Sequence, residues 1–302
     1  MTVEWRRMPG HRFEYELWDV FTARPLRGNP LAILPDAAGM DDASMQALAR
    51  EFNLSETAFV LPSERADARA RYFTPATELP MAGHPTIGTA FALDARGRLP
   101  GAAGRLELGV GVVGLRLERR QERLTRVWMD QGRPRRLAVV EQRGAAAGAL
   151  GLDEEDLVPG RPLEVVSAGV PFLLVPLRDL AALARLHLDL AALTPFLPER
   201  HRAVFAFAMA DGPALVRCRM FGEALGVVED PATGSAHGPL GAYLAWHGLI
   251  DAAGDGATFV SRQGVEMGRA SEIHVRVRLE GGEPAVEVGG TAVRVAAGWL
   301  EL

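Results

Sequence analysis

The sequence predicts a two-domain protein of mixed strands and helices, with one buried helix in each domain. Three observations carry this expectation. The chain has 302 residues, about twice the roughly 150 of an ordinary domain. Its 48% hydrophobic content and mean hydropathy of +0.04 supply real cores and exclude a disordered or fibrous chain. Two segments about half a chain apart, Ile87 to Leu93 and Gly234 to His247, are apolar on nearly every face, which marks helices enclosed by other elements.

The elements follow in order. Phe13 to Val20 alternates apolar and polar residues as an opening strand does, and Arg24 to Pro30 is a Gly/Pro loop. Met45, Leu48, Ala49 and Phe52 recur at i, i+3, i+4 and i+7 behind Asp41, Asp42 and Ser44, an amphipathic helix with candidate caps. Thr57 to Leu61 and Arg69 to Thr74 are strands, and the irregular stretch Thr74 to Gly83 leads into the first buried helix. Pro85 suits its first turn, and Gly97 stops it. Period-two patterning from Arg105 to Trp128 predicts a β-meander. The second half repeats this grammar: strands at Leu163 to Ser167 and Pro171 to Pro176, a helix from Arg178 to Leu186, then strands at Ala203 to Met209 and Ala214 to Phe221. An acidic turn, Glu229 to Thr233, enters the second buried helix, which Gly248 ends. Arg71, Phe73, Thr86, Gly88, Thr89 and Ala90 have counterparts in Arg219, Phe221, Thr233, Gly234, Ser235 and Ala236, at offsets of 146 to 148. This reads as a duplicated unit.

Composition removes whole classes of chemistry. All 33 basic residues are arginine, so a lysine Schiff base, a phosphate-loop lysine and a lysine general base are excluded. The single cysteine, Cys218, excludes an internal disulfide, a thiolate metal cluster and any mechanism with two facing thiols. The net charge of −5 gives no reason to expect nucleic acid or an anionic membrane as a partner. Met1 to Glu16 lacks the apolar core of a secretory signal, and the apolar runs are too short or proline-interrupted to span a bilayer. The expected location is cytoplasmic.

Each buried helix begins at a glycine-containing loop, leaving N–H groups at Gly83 to Thr86 and at Thr233 to Ala236 without intrahelical partners. Such ends attract anions, so two of them facing one cleft would hold a small carboxylate. The titratable residues nearby are Glu56, His84 and Asp230. An acid and a base on either side of a carbon acid can move a proton without a cofactor, although each of the three also has an ordinary reading as a surface, capping or turn residue. Two motifs are decoys. Gly109-Val-Gly111-Val-Val-Gly114 has dinucleotide-binding spacing but continues as a strand, so it reads as a turn. Asp230, Ser235 and His237 are the residue types of a hydrolytic triad but lack a nucleophile elbow. The seven histidines show no metal-ligand spacing.

At this point the chain resembles the phenazine-biosynthesis PhzF-like family, which shares the diaminopimelate epimerase fold. The matching stretches are Phe21-Thr22, Gly28-Asn29-Pro30, Asn53-Leu54-Ser55-Glu56-Thr57-Ala58-Phe59, and Arg71-Tyr72-Phe73-Thr74-Pro75 with Glu78. They continue with Gly83-His84-Pro85-Thr86, Glu229 to Ala236, Gln263-Gly264, Gly268-Arg269 and Gly289-Gly290. They run in family order over nearly the whole chain. The resemblance implies an α+β fold of two pseudo-symmetric domains, each a mostly antiparallel sheet wrapped around a central helix. The first domain would span 1–127, with 291–302 returning to it, and the second 128–290. It implies a cofactor-free isomerase acting on a small carboxylate of the dihydro-3-hydroxyanthranilate type. Glu56 would relay the proton and His84 and Asp230 would orient or protonate the substrate, while Gly83, Gly234 and Ser235 hold its carboxylate. The two-cysteine epimerases of the same fold are excluded by composition, since the corresponding neighbourhoods hold Ala82 and Glu229-Asp230. A catalytically silent carboxylate-binding protein of the same fold is the alternative, and a two-domain cleft is compatible with a homodimer.

Overall fold

A computed structural model describes residues 12–193, 203–222 and 227–302; the expected lack of a leader concerns a stretch, 1–16, that lies mostly outside them. The chain opens with β1 (Arg12–Val20), β2 (Asn29–Leu34), α1 (Asp42–Phe52), β3 (Thr57–Leu61), β4 (Ala68–Phe73), β5 (Glu78–Leu79) and α2 (Gly83–Asp94). The meander β6 (Ala103–Leu108), β7 (Gly111–Arg120) and β8 (Arg123–Asp130) follows, then β9 (Arg135–Val140) and α3 (Arg143–Ala149). Next come β10 (Leu163–Ser167), β11 (Pro171–Leu177), α4 (Leu180–Arg185), α5 (Leu190–Leu193), β12 (Val204–Met209), β13 (Val216–Gly222) and β14 (Val227–Asp230). The chain ends with α6 (Gly234–Trp246), β15 (Ala257–Gln263), β16 (Ser271–Glu280), β17 (Glu283–Gly290) and β18 (Ala292–Glu301). This is an α+β fold of one large mixed sheet system with few helices.

Pairing follows one pattern twice. In the first part β1–β2, β3–β4, β6–β7 and β7–β8 are antiparallel, while β2–β3 and β4–β6 are parallel. In the second part β10–β11, β12–β13, β15–β16 and β16–β17 are antiparallel, while β11–β12 and β13–β15 are parallel. The two parts join where β8 pairs with β17, and β18 returns to lie antiparallel beside β1. The expected division between 127 and 128 falls inside β8, so no loop separates the parts there.

The two central helices explain why the sequence has segments apolar all round. Every residue of α2 from Gly83 to Leu93 is buried, and α6 is buried from Ala236 to Leu244. Both belong to one hydrophobic core with the inner faces of the surrounding strands. Strands supply these faces by alternating inward and outward residues, as in β16, where Ile273, Val275 and Val277 alternate with polar neighbours. A smaller core under β10 to β13 takes in α3 and α4, and a third sits beneath the amphipathic α1. Helix α1 is capped as expected: the Asp41 carboxylate accepts from Ser44 N–H at 2.7 Å, and Asn53 closes it in the left-handed region.

Three readings need correction. The stretch through Glu229 is not wholly a turn, because β14 pairs with β13 up to Asp230. The loop expected up to Pro30 ends at Asn29, where β2 begins. The halves match at Arg71/Arg219 and Phe73/Phe221, where each guanidinium stacks on its own strand's phenylalanine ring, at 5.1 and 4.8 Å. The helix part of that match is out of register, because the helices begin at Gly83 and Gly234, an offset of 151 rather than 146. Of the Gly109 to Gly114 segment, Gly109-Val110 is the turn between β6 and β7 and Gly111 to Gly114 opens β7, in keeping with its strand-like continuation. Among the described residues, no helix is long and apolar enough to cross a membrane.

The core position of α6 predicts a contrast in stability. Leu240→Ala, at a fully buried helical position, should lower the unfolding free energy by about 2–5 kcal/mol, whereas Trp299→Ala, 62% exposed on β18, should stay within about 0.5 kcal/mol. Urea denaturation followed by circular dichroism measures both.

Candidate active site

The local geometry begins with the ends of the two central helices. Neither has a side-chain cap: the side chains of Ala82 before α2 and of Thr233 before α6 accept nothing from the first turn, where Ala236 N–H donates to Thr233 O at 3.2 Å. The two starts lie against one another. A Cβ on Gly83 would stand 3.1 Å from Ser235 N and 3.3 Å from Gly234 Cα, and one on Gly234 would stand 3.1 Å from the Phe21 ring. Glycine at both places allows a backbone contact that side chains would block. Two positive helix ends therefore share one spot, an arrangement that favours negative charge there. Gly83, Gly234 and Ser235 meet there.

Glu56 arrives from another direction. Asn53 turns the chain out of α1 at φ 48°, and Ser55 and Glu56 form the short link before β3. This link brings Glu56 Oε2 to 3.6 Å from His84 Nε2, on the first turn of α2. Both atoms are buried, and neither has a hydrogen-bond partner. Buried polar atoms are nearly always paired, so two orphans aimed at each other mark a place prepared for something else.

Asp230 comes from the other part of the molecule. Its Oδ1 accepts from Asn29 Nδ2 at 2.8 Å and its Oδ2 from Thr233 Oγ1 at 2.5 Å. Asn29 Nδ2 also approaches Ala232 O at 3.0 Å and His84 Nδ1 at 3.3 Å. Behind Asp230, Gln263 Nε2 donates to Asp230 O at 2.7 Å and to Thr233 Oγ1 at 2.9 Å, and its Oε1 accepts from Thr233 N at 3.1 Å. Arg269 ties the parts together further out, donating to Asp19 Oδ1 at 2.6 Å and to Gly28 O at 2.8 Å.

The electrostatics set the three titratable groups apart. Burial, with the neighbouring Asp230 charge, pushes the Glu56 carboxyl up to about 8. Burial also raises Asp230, to about 6, against the opposing hydrogen bonds from Thr233, Asn29 and Ser55. The His84 imidazole is driven down to about 3 by burial alone, so it is neutral at pH 7. Strongly shifted groups gathered at one spot make it a candidate for proton transfer.

Glu56, His84, Asp230, Gly83, Gly234 and Ser235 thus lie together, although residues 56 and 230 are far apart in sequence. The triad decoy dissolves: His237 bonds to Thr233 O at 2.8 Å and to Ser261 Oγ at 2.9 Å, not to Ser235. Cys218 is buried on β13 at 3.1 Å from the same Ser261 hydroxyl, and burial pushes its thiol up to about 12. Asn29 and Gln263 received no role from the sequence, and Thr233, whose N–H was expected to be free for an anion, donates it to Gln263 Oε1 instead. Asn29 and Gln263 stand within matched motifs, and only their contacts reveal what they do.

The shift on Glu56 predicts a pH-dependent stability. Its carboxyl loses its proton near the ordinary carboxylate value in the unfolded chain but holds it to about 8 when folded, so rising pH in between favours unfolding. Glu56→Gln should therefore match wild type near pH 4 and exceed it by a few kcal/mol at pH 8.5, an order of magnitude set by about 1.4 kcal/mol per pKa unit. Denaturant titrations at the two pH values measure it.

Known proteins resemble the chain over most of its length. The family model described as phenazine biosynthesis-like protein matches residues 18–298. Trans-2,3-dihydro-3-hydroxyanthranilate isomerase of Pseudomonas aeruginosa is 41% identical over 289 residues, covering 94% of this chain and 98% of that protein. The uncharacterized isomerase YddE of Salmonella typhimurium is 38% identical over 284 residues, covering 91% and 94%. The crystal structure of a PhzF-family phenazine biosynthesis protein from Bacillus anthracis superposes with a TM-score of 0.89 at 29% identity, covering 97% of this chain and all of that one. A probable proline racemase from Agrobacterium radiobacter shares the fold at a TM-score of 0.63 and 15% identity, covering 96% and 93%. By sequence and by structure the chain belongs to the phenazine biosynthesis-like (PhzF) family of isomerases.

Proposed function

We propose that the protein isomerises a small carboxylate-bearing substrate of the dihydro-3-hydroxyanthranilate type by moving one proton between two carbons, without a cofactor, with Glu56 as the shuttle. The observation that carries this is the unpartnered pair Glu56 Oε2 and His84 Nε2, 3.6 Å apart beside the two facing helix ends. The relatives named for trans-2,3-dihydro-3-hydroxyanthranilate isomerase, at 39–41% identity, support the substrate class.

The chemistry follows from the geometry. The N–H groups at Gly83, Gly234 and Ser235 receive the substrate carboxylate at the shared positive end of both helices. The ionised Glu56 takes a proton from a ring carbon, and the electron pair spreads into the adjoining unsaturated system. The carboxylic acid so formed gives the proton back at another ring carbon, so no atom is gained or lost and nothing is oxidised. A carboxyl held near the working pH suits both halves of such a relay. Neutral His84 and hydrogen-bonded Asp230 orient the substrate around it.

The duplicated pairing pattern supports reading the molecule as two pseudo-symmetric halves. One comprises β1 to β8 with β18, the other β9 to β17. Each wraps one central helix, and the site lies between them.

Two outcomes test the reading. In deuterated water the enzyme should incorporate label into trans-2,3-dihydro-3-hydroxyanthranilate, and Glu56→Gln should lower turnover by about 10²-fold to 10⁴-fold; undiminished turnover refutes the shuttle. The kcat/KM profile should rise with pH to an apparent value near 8, and Asp230→Asn should move that limb to lower pH by removing the neighbouring charge. A pH-rate series on both proteins decides it.

A further inference from the structure

Asn29 touches more of the site than any residue yet given a role. It is fully buried at the start of β2, and its side chain reaches across to the other half. The orientation of its carboxamide is set by its surroundings. The atom facing Asp230 Oδ1 at 2.8 Å and Ala232 O at 3.0 Å faces two acceptors, so it is the NH2 group. The carbonyl end accepts from Ser55 Oγ at 3.4 Å. Asp230 is held from its other side in the same sense. Gln263 Nε2 donates to Thr233 Oγ1, which directs the threonine hydrogen onto Asp230 Oδ2. Both Asp230 oxygens are therefore acceptors.

The same NH2 group lies 3.3 Å from His84 Nδ1. An amide nitrogen cannot accept a hydrogen bond, and two N–H groups cannot point at each other. The two amide hydrogens face three neighbours, with Asp230 Oδ1 and Ala232 O the nearer, so the contact to His84 Nδ1 is a shared, weaker one; a bare Nδ1 fits beside this NH2 group and an Nδ1–H does not. Neutral imidazole carries one proton, which leaves it on Nε2, the atom aimed at Glu56.

We propose that Asn29 is a positioning residue that fixes His84 as the Nε2–H tautomer and ties it across the cleft to Asp230. This rests on the proton-shuttle reading for its consequence: His84 presents an N–H donor, not a lone pair, to whatever lies beside Glu56. The other tautomer would aim a lone pair at the same place and compete with Glu56 for the proton. Asn29 acts through His84 and Asp230, on a backbone turn held by left-handed Gly28.

The test reads the tautomer itself. In protein labelled with 15N-histidine, two-bond proton–nitrogen spectra distinguish Nε2–H from Nδ1–H, and a His84→Gln sample assigns the signals among the seven histidines. Wild type at neutral pH should show His84 as Nε2–H; an Nδ1–H or cationic ring overturns the proposal without any variant. Asn29→Asp places an acceptor against Nδ1 and should move the proton there, lowering kcat by about 10²-fold to 10⁴-fold, the scale of a wrong-tautomer histidine, with KM changed far less. A ring that stays Nε2–H in that variant, or a kcat within twofold of wild type, also overturns it. Asn29→Ala, checked for folding by circular dichroism, should give mixed tautomers; activity lost with the tautomer unchanged would assign Asn29 a purely structural part. Failure of the shuttle is seen separately, because a fully active Glu56→Gln leaves the tautomer result intact.

Discussion

The constraint on which the molecule depends is the head-to-head contact of two buried helices. Helices α2 and α6 are each wrapped by strands, and their first turns meet where a Cβ on Gly83 would crowd the backbone at Gly234 and Ser235 and one on Gly234 would crowd the Phe21 ring. Packing alone would not favour this meeting, because two positive dipole ends repel and their leading N–H groups lack side-chain caps. The surrounding sheet enforces it. With β8 paired to β17, the strands around each helix are continuous with those around the other and hold the two helices in place.

That enforced meeting accounts for the chemistry of the neighbouring side chains. Glu56, His84 and Asp230 are carried into a region already dry because helices and sheets close around it. Dryness acts oppositely on acids and bases: it raises the two carboxyls and depresses the imidazole. Asp230 is raised less than Glu56 because Asn29 and Thr233 donate to it, whereas Glu56 Oε2 has no partner. One carboxylate is steadied as an acceptor, and the other keeps an oxygen without a partner. The difference between them comes from their neighbours.

Much of this was legible in the sequence, for reasons that can be named. The all-apolar α2 and α6 announced enclosure, the period-two run from Arg105 to Trp128 announced the β6 to β8 meander, and Asp41 ahead of an amphipathic run announced α1. Glu56, His84 and Asp230 stood out as titratable residues beside loops that open helices. What was not legible depends on partners distant in sequence. The start of the second helix was aligned five residues off, because a six-residue similarity carries no information on where a helix begins when neither end is capped. β14 was read as part of a turn, since a short edge beside β13 has pattern only through its pairing. Asn29 and Gln263 passed as parts of motifs, because a carboxamide's role lies entirely in which donors and acceptors face it.

The amino-acid sequence alone determined which chemistries are closed to this protein. Without lysine, and with one cysteine, neither covalent imine chemistry nor paired-thiol proton transfer is open to it, whatever the fold. It also determined that two helices must be buried, because no arrangement leaves their apolar circumference in water at tolerable cost. Only the tertiary structure decided that the two helix ends meet, that Glu56 faces His84 without a partner, and that Asp230 is bridged to Asn29. Those facts rest on distances between residues up to about two hundred positions apart, and a linear pattern records what a residue is without recording what it will face.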